Sequence, residues 1–344
     1  MRLSLRWYGT EDPVTLRHIR QIPGVEGIVG SCFDMPVGQP WPSDRVQALC
    51  DEAAAEDLSV VAIESIPVHE DIKRGLPTRD AYIEAFGRSL EAVSECGVPV
   101  VCYNFMPAFD WIRTDVAFRL PDGSTTMSYD HGDLHSTDLT RLSRTLPAWV
   151  SSYSADELVA VQAAYENVSA GMLWDNLAYF LENVVPVAAS VGVRLALHPD
   201  DPPWPVFGLP RIVADPMALE RVCDLVDDPA NGVTYCTGSL GAQPDSDLVA
   251  GVMSLGARGR IHFVHARNVK TTGQQVFWET EHPSRFGDVD MRAVMKALQA
   301  TAFSGPLRPD HGRMIWGETG RPGYGLNDRA LGAMYLQGLW EGLG

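Results

Sequence analysis

Three side chains that bind transition metals well, and a fourth that often joins them, each close an apolar run in the second half of the chain. His198 follows Val193-Arg194-Leu195-Ala196-Leu197, Cys236 follows Val233-Thr234-Tyr235, and His265 follows Ile261-His262-Phe263-Val264. Asp310 stands just after Pro306-Leu307-Arg308. Short apolar runs bounded by turn residues read as buried strands. Imidazole, thiolate, imidazole and carboxylate make a donor set for one divalent ion, and mixed N/O/S ligation suits Mn²⁺, Fe²⁺, Co²⁺ or Zn²⁺ without choosing among them. Singly, each has a structural alternative: a strand-end histidine is commonly a hydrogen-bonded core residue, and a cysteine in Tyr-Cys-Thr-Gly a core filler. Recurrence at four successive strand ends favours a shared ion. Such a set either closes a tetrahedral structural site or belongs to an expanded shell open to water and substrate oxygens.

Other polar groups sit at similar positions. His311, next to Asp310, is a general acid or base, or else a hydrogen-bonding support. Arg308, Arg313 and Arg267 either clamp a substrate carboxylate in bidentate fashion or pair with the abundant acids. Asn268 follows Arg267, and Asn104 closes an earlier apolar run. His69 and Glu70 are hydroxyl binders or a solvated loop. Tyr324 lies in the glycine-rich stretch 320–325, either as a proton donor or packed on a rim. After His198 comes Pro199-Asp200-Asp201-Pro202-Pro203-Trp204, where prolines forbid regular structure and stiffen the chain. Asp200 and Asp201 there orient ligand imidazoles or cap the next turn.

The elements that must position these residues alternate. Strands are expected over 3–8, 27–30, 60–64, 98–105, 193–197, 233–235, 261–264 and 306–308. Helices fall between most of them, notably one capped by Ser43 or Asp44 and others over 79–96, 156–189, 216–226, 247–255, 290–300 and 326–343. Alternation of strand and helix predicts a parallel sheet. Eight strands make a closed (β/α)₈ TIM barrel the economical solution, over an open doubly wound sheet; no Gly-x-Gly-x-x-Gly supports a dinucleotide fold. Residues 107–152 break the rhythm and are read as a lid-like insertion after strand 4, with a turn at Pro121-Asp122-Gly123. Residues 1–344 are read as one domain.

The net charge is −17, from 27 basic and 44 acidic side chains. That argues against nucleic acid or an anionic membrane as partner. No window reaches the roughly 18 uninterrupted apolar residues of a membrane span, and the N-terminus has no signal-peptide pattern. Six cysteines without a framework spacing predict reduced thiols and a cytoplasmic setting.

Arg6-Trp7-Tyr8-Gly9, 64–73 (Glu-Ser-Ile-Pro-Val-His-Glu-Asp-Ile-Lys), Cys102-Tyr103-Asn104-Phe105-Met106-Pro107, His198-Pro199-Asp200-Asp201-Pro202-Pro203, Gly208-Leu209-Pro210-Arg211-Ile212, Cys236-Thr237-Gly238-Ser239 and Arg308-Pro309-Asp310-His311-Gly312 resemble mannonate dehydratase. The resemblance runs over nearly the whole chain. It implies a xylose-isomerase-like barrel, a need for Mn²⁺ or a similar ion such as Fe²⁺, and metal ligands at His198, Cys236, His265 and Asp310. It implies acid–base roles for His311 and Tyr324, and loss of water from D-mannonate to give 2-keto-3-deoxy-D-gluconate in hexuronate catabolism. Trp7 in the first motif joins the expected substrate contacts, and a homodimer or higher homo-oligomer is expected. Trp278 and Glu281, the lengthened 283–286 stretch and Phe33-Asp34 depart from the family pattern and bear on which aldonic acid is preferred. The alternatives are another aldonate dehydratase, a metal-dependent sugar isomerase or epimerase, or a silent sugar-acid binder.

Overall fold

The computed structural model describes residues 1–136, 160 and 163–343. Eight parallel strands close into a barrel: β1 (Arg2–Arg6), β2 (Gly27–Gly30), β3 (Ser59–Glu64), β4 (Val100–Tyr103), β7 (Arg194–Leu197), β8 (Asn231–Cys236), β9 (Ile261–Ala266) and β12 (Pro306–Pro309). Each pairs with its neighbours in chain order, and β12 closes on β1. All eight fall where the apolar runs predict them.

Side chains alternate in and out along each strand. Val29, Val61, Ala62, Val100, Cys102, Ala196 and Phe263 form a separate apolar cluster, the barrel interior. The opposite phase, including Val101, Tyr103, Leu195, Leu197, Tyr235, Val264 and Leu307, joins the larger core beneath the helices. Continuing the inward phase by two residues brings Ala196 to His198 and Phe263 to His265. Register levels these ends, since Cys236 is opposite His265 and His265 is opposite Arg308. The candidate metal ligands therefore share one rim because strand parity and parallel register require it.

The helices have local causes. Asp215, Asp247 and Asp290 cap the helices Pro216–Leu225, Leu248–Ala257 and Met291–Ala300, each accepting a backbone N–H three residues on. Asp247 and Asp290 thus precede helices that the sequence pattern begins at those residues. Pro42, without a side-chain bond, caps Ser43–Ala54 in place of Ser43 or Asp44. The helix Ala170–Val191 begins at the cap Ser169, carries Pro186 within it, and ends at Gly192 with φ +73°. Residues 137–152 of the expected insertion, and the first residues of the helix expected over 156–189, lie outside the described residues.

The part of 107–152 that is described is not irregular. β5 (Asp115–Arg119) and β6 (Thr125–Asp130) form a hairpin at the predicted Pro121-Asp122-Gly123 turn, with Gly123 at φ +88°. β10 (Val269–Gly273) and β11 (Val276–Glu279), a stretch expected as loop, form a second hairpin. The two join into an antiparallel sheet ordered β10-β11-β6-β5. Each of β5 and β6 offers two alternating apolar residues, too few to register as a strand without the partner it pairs with.

Candidate active site

A cavity of about 680 Å³ opens at the carboxyl ends of the barrel strands. That end is where TIM barrels carry their chemistry. His198, His265 and Asp310 line it, and the ligating atoms of His198, Cys236 and His265 all lie within 4.8 Å of one another. His198 Nε2 is 3.2 Å from His265 Nδ1. His198 Nδ1 lies 2.6 Å from the Pro199 carbonyl, which can only accept, so the proton sits on Nδ1 and the Nε2 lone pair points inward. His265 has the complementary arrangement, with Nε2 3.4 Å from the Glu64 carboxylate. Two imidazole lone pairs facing each other beside a thiolate repel one another until a cation or proton lies between them. That donor chemistry fits a divalent transition ion.

Asp310 stands at the edge of this cluster, 3.9 Å from both Cys236 Sγ and His265 Nδ1. Its other oxygen meets Arg308 at 2.6 Å. Burial by itself would raise the Asp310 carboxyl, but Arg308 first, then His311 and His265, hold it well below the usual carboxylate range. Burial would likewise raise the Cys236 thiol; Arg267 and His198 reverse this and hold it well below an ordinary thiol. Burial opposes charge on His198, yet Cys236, Glu64 and Asp310 push its imidazole up to about 9. The four side chains together therefore carry the ionised sulfur and oxygen that a cation requires.

Beside the cluster runs a second constellation. His311 Nδ1 lies 2.7 Å from Glu279 Oε1, and its Nε2 lies 2.8 Å from the Tyr324 hydroxyl. The ionised carboxylate only accepts, so Nδ1 is the protonated nitrogen and Tyr324 donates to Nε2. Burial, with Tyr8 and Asp310 nearby, pushes the Tyr324 hydroxyl well above its ordinary value, so it keeps its proton. The turn that presents Tyr324 is fastened by buried Arg329, which donates to the carbonyls of Tyr324, Gly325 and Arg6 at 2.6, 2.7 and 2.8 Å.

Glu279 and Arg113, which contact this site, are not singled out for a role by the sequence. Arg113 bridges Asp201 and Glu279 at 2.8 and 2.6 Å, and Arg267 joins Asp201 at 2.6 Å. All four are at most 1% exposed as side chains. This buried charge network ties the antiparallel sheet to the barrel rim. The available signal was parity: in β11 the buried Phe277 and Glu279 share a face. Asp110, Glu64, Arg6 and Tyr8 also line the cavity.

Of the expected substrate contacts, Arg308, Arg267, His69, Glu70 and Asn104 line the cavity. Trp7, Arg313 and Asn268 do not. Trp7 is out of phase with the inward residues Arg6 and Tyr8 and is buried in the core. Arg313 is held by Asp328, Asp122 and Glu281 at 2.9, 2.8 and 3.0 Å. Asn268 donates to the carbonyls of Glu281 and Pro283 and so shapes the 281–289 loop. Glu70 is committed to Lys73, the Ala108 N–H and the Tyr165 hydroxyl. Asp200 accepts from the Val213 N–H at 2.9 Å, and Asp201 accepts from guanidiniums and Ser239. Neither carboxylate bonds to the His198 or His265 imidazole; His198 Nδ1 meets the Pro199 carbonyl, and the Glu64 carboxylate lies 3.4 Å from His265 Nε2.

Barrel and rim together define an enzyme of the xylose-isomerase-like TIM-barrel class. A solved xylose-isomerase-like TIM barrel protein from Mycobacterium smegmatis, in complex with magnesium, overlays with a TM-score of 0.56 at 14% identity, covering 96% of this chain and 88% of that one, which speaks to fold alone. The family described as "D-mannonate dehydratase (UxuA)" matches residues 1–344. "Mannonate dehydratase 2" of Halalkalibacterium halodurans is 51% identical over 341 residues, 99% of each chain. Mannonate dehydratase of Thermotoga maritima is 50% identical over 353 residues, 100% of this chain and 98% of that one. The crystal structure of mannonate dehydratase from Streptococcus suis serotype 2 overlays with a TM-score of 0.93 at 47% identity, covering 100% of this chain and 95% of that one. The chain belongs to the mannonate dehydratase family of hydro-lyases.

Proposed function

We propose that the protein dehydrates D-mannonate to 2-keto-3-deoxy-D-gluconate by β-elimination, in hexuronate catabolism, with Mn²⁺ or Fe²⁺ held by His198, Cys236, His265 and Asp310. The observation that carries this is one cavity in which the His198–Cys236–His265 cluster adjoins the Glu279–His311–Tyr324 chain. A divalent ion there supplies Lewis acidity towards substrate oxygens.

The chain's own groups move the proton. C2 of an aldonate carries a weakly acidic proton next to the carboxylate. His311, oriented by Glu279, takes that proton on Nε2 as the Tyr324 hydroxyl turns from it towards the substrate. Tyr324, which holds its own, gives it to the departing C3 hydroxyl, and water leaves. The proton on His311 then passes along the 2.8 Å contact to restore Tyr324. No net proton is gained or lost, and the enol left behind ketonises.

Anaerobic incubation with D-mannonate and Mn²⁺ or Fe²⁺, followed by NMR, tests the proposal. A keto-deoxy acid is expected. Recovery of unchanged mannonate, or of an isomer with its water retained, refutes it. A cytoplasmic setting and a homodimer or larger homo-oligomer belong to the same proposal. The six free thiols support the first, and sedimentation velocity reads the second.

A further inference from the structure

Five basic side chains other than histidine line the cavity: Arg6, Lys73, Arg267, Arg308 and Arg321. Three are already neutralised. Lys73 is 2.6 Å from Glu70, Arg267 is 2.6 Å from Asp201, and Arg308 is 2.6 Å from Asp310 and 3.0 Å from Glu64. The remaining two have no ion pair among the described residues. Arg6 spends one N–H on the Gly30 carbonyl at 3.2 Å. Arg321 contacts an aromatic ring only. Arg6 helps to hold the nearby Glu64 carboxyl down without contacting it, so in a chain with 44 acids against 27 bases two cavity-facing guanidiniums with no carboxylate in contact mark a place for one from outside.

The two converge. Both contact the ring of Tyr8, with Arg321 Cζ 4.1 Å and Arg6 Cζ 5.0 Å from its centroid. They are therefore no more than about 9 Å apart, the span of a carboxylate with a guanidinium on either side. Tyr8 packs edge-on against Tyr324, ring centroids 4.8 Å apart. Arg321 and Tyr324 close one turn, the Tyr324 N–H donating to the Arg321 carbonyl at 3.0 Å. The Arg329 side chain fastens this turn to the Arg6 backbone. Subsite and proton relay are thus one rigid unit.

We propose that Arg6 and Arg321, seated on Tyr8, form the subsite for the carboxylate of the sugar acid. The proposal rests on the dehydratase reading for the identity of the acid. A carboxylate held there sets C2, one bond away, beside Tyr324 and His311. The hydroxylated tail then extends towards Asn104 and His69. The subsite selects acids over neutral sugars of the same length.

The test is kinetics of wild type, Arg321→Lys and Arg321→Gln with D-mannonate and Mn²⁺, together with calorimetric binding of D-mannonate and of D-mannitol, its neutral counterpart. Loss of a charge-assisted contact predicts KM and Kd for mannonate about tenfold to a hundredfold higher in Arg321→Gln. The lysine variant should fall between, kcat should change less than threefold, and mannitol binding should stay unchanged. Mannonate affinity within twofold of wild type in Arg321→Gln overturns the subsite. If wild type binds mannonate without turning it over, the dehydratase reading fails, while the calorimetric comparison still decides the subsite. If wild type binds no mannonate, both fall.

Discussion

Replacing Glu279 with glutamine keeps the shape of the side chain and removes its charge. Only Oε1 is engaged, accepting from His311 at 2.7 Å and from Arg113 at 2.6 and 3.0 Å. Oε2 has no partner. The glutamine oxygen can take the Oε1 place, with its NH₂ in the unpartnered position, so the tautomer of His311 is preserved. What disappears is the anion opposite an imidazole that becomes cationic once it has taken the C2 proton. Arg267 lies 3.1 Å from the same Nδ1, so the variant imidazolium faces a guanidinium without the compensating carboxylate. A charge-assisted hydrogen bond to this site is worth about 1.5–3 kcal/mol. Unit charges about 4 Å apart at an effective dielectric of 20 set an upper bound near 4 kcal/mol. At 1.36 kcal/mol per decade, kcat should fall roughly tenfold to a thousandfold. KM and metal content should be unchanged, because Glu279 touches none of His198, Cys236 and His265. Steady-state kinetics at saturating Mn²⁺, with metal analysis on the same sample, give the answer. A fully loaded variant retaining kcat within threefold of wild type refutes the role of Glu279 and the direction assigned to the His311 proton.

Tyr324→Phe removes the hydroxyl bonded to His311 and should lower kcat about 10²- to 10⁴-fold with little change in KM; the same kinetics report it, and near-normal kcat removes Tyr324 from the chemistry. Chelation should abolish turnover and Mn²⁺ or Fe²⁺ restore it, while Cys236→Ala should weaken Mn²⁺ binding at least about tenfold by calorimetry, since even supporting residues of metal sites cost that much. Asp201→Asn leaves Arg113 and Arg267 with one shared carboxylate and should cost about 3–5 kcal/mol in urea unfolding. Burial alone would raise the Asp201 carboxyl, but Arg113 and Arg267 hold it far below the usual range, so its contribution is full above about pH 4 and is lost as pH falls further. The gap between wild type and variant should therefore be flat near neutrality and close only in acid. His262 is lowered from 6.5 to about 4 by burial, so between those values the unfolded chain binds more protons and stability rises with pH. Wild type should lose about 3 kcal/mol through this group from pH 7 to pH 4, and His262→Gln should abolish that part of the slope.

Parity explains which site residues the sequence betrays. A residue at the end of a parallel strand faces the cavity if it lies an even number of places from the inward residues below it. His198, Cys236, His265 and Asp310 obey this, and each follows an apolar run that is visible without a partner. The same rule, applied to β1, runs Ser4, Arg6, Tyr8 and excludes Trp7 from the cavity. Trp7 is thus a family-motif residue that serves the core, and its neighbours on either side carry the cavity-facing chemistry.

Pairing of charges is the part that local pattern does not encode. Arg267, Arg308 and Arg313 look equally free in sequence, yet each is neutralised by carboxylates from distant segments: Asp201, Glu64 and Asp328. Arg113, just ahead of β5, and Glu279, at the end of β11, look like surface charges. They become wholly buried because β6 and β11, from hairpins about 150 residues apart along the chain, pair into one sheet. Desolvating two arginines and two carboxylates together is costly, and each group alone would be costlier still. The sheet and the rim are consequently interdependent: moving β11 away from the barrel would leave Arg113 and Arg267 sharing Asp201 without Glu279 and would also withdraw Glu279 from His311. In the proposed mechanism, placing the relay's anchoring carboxylate inside that network makes catalytic competence conditional on the sheet being seated.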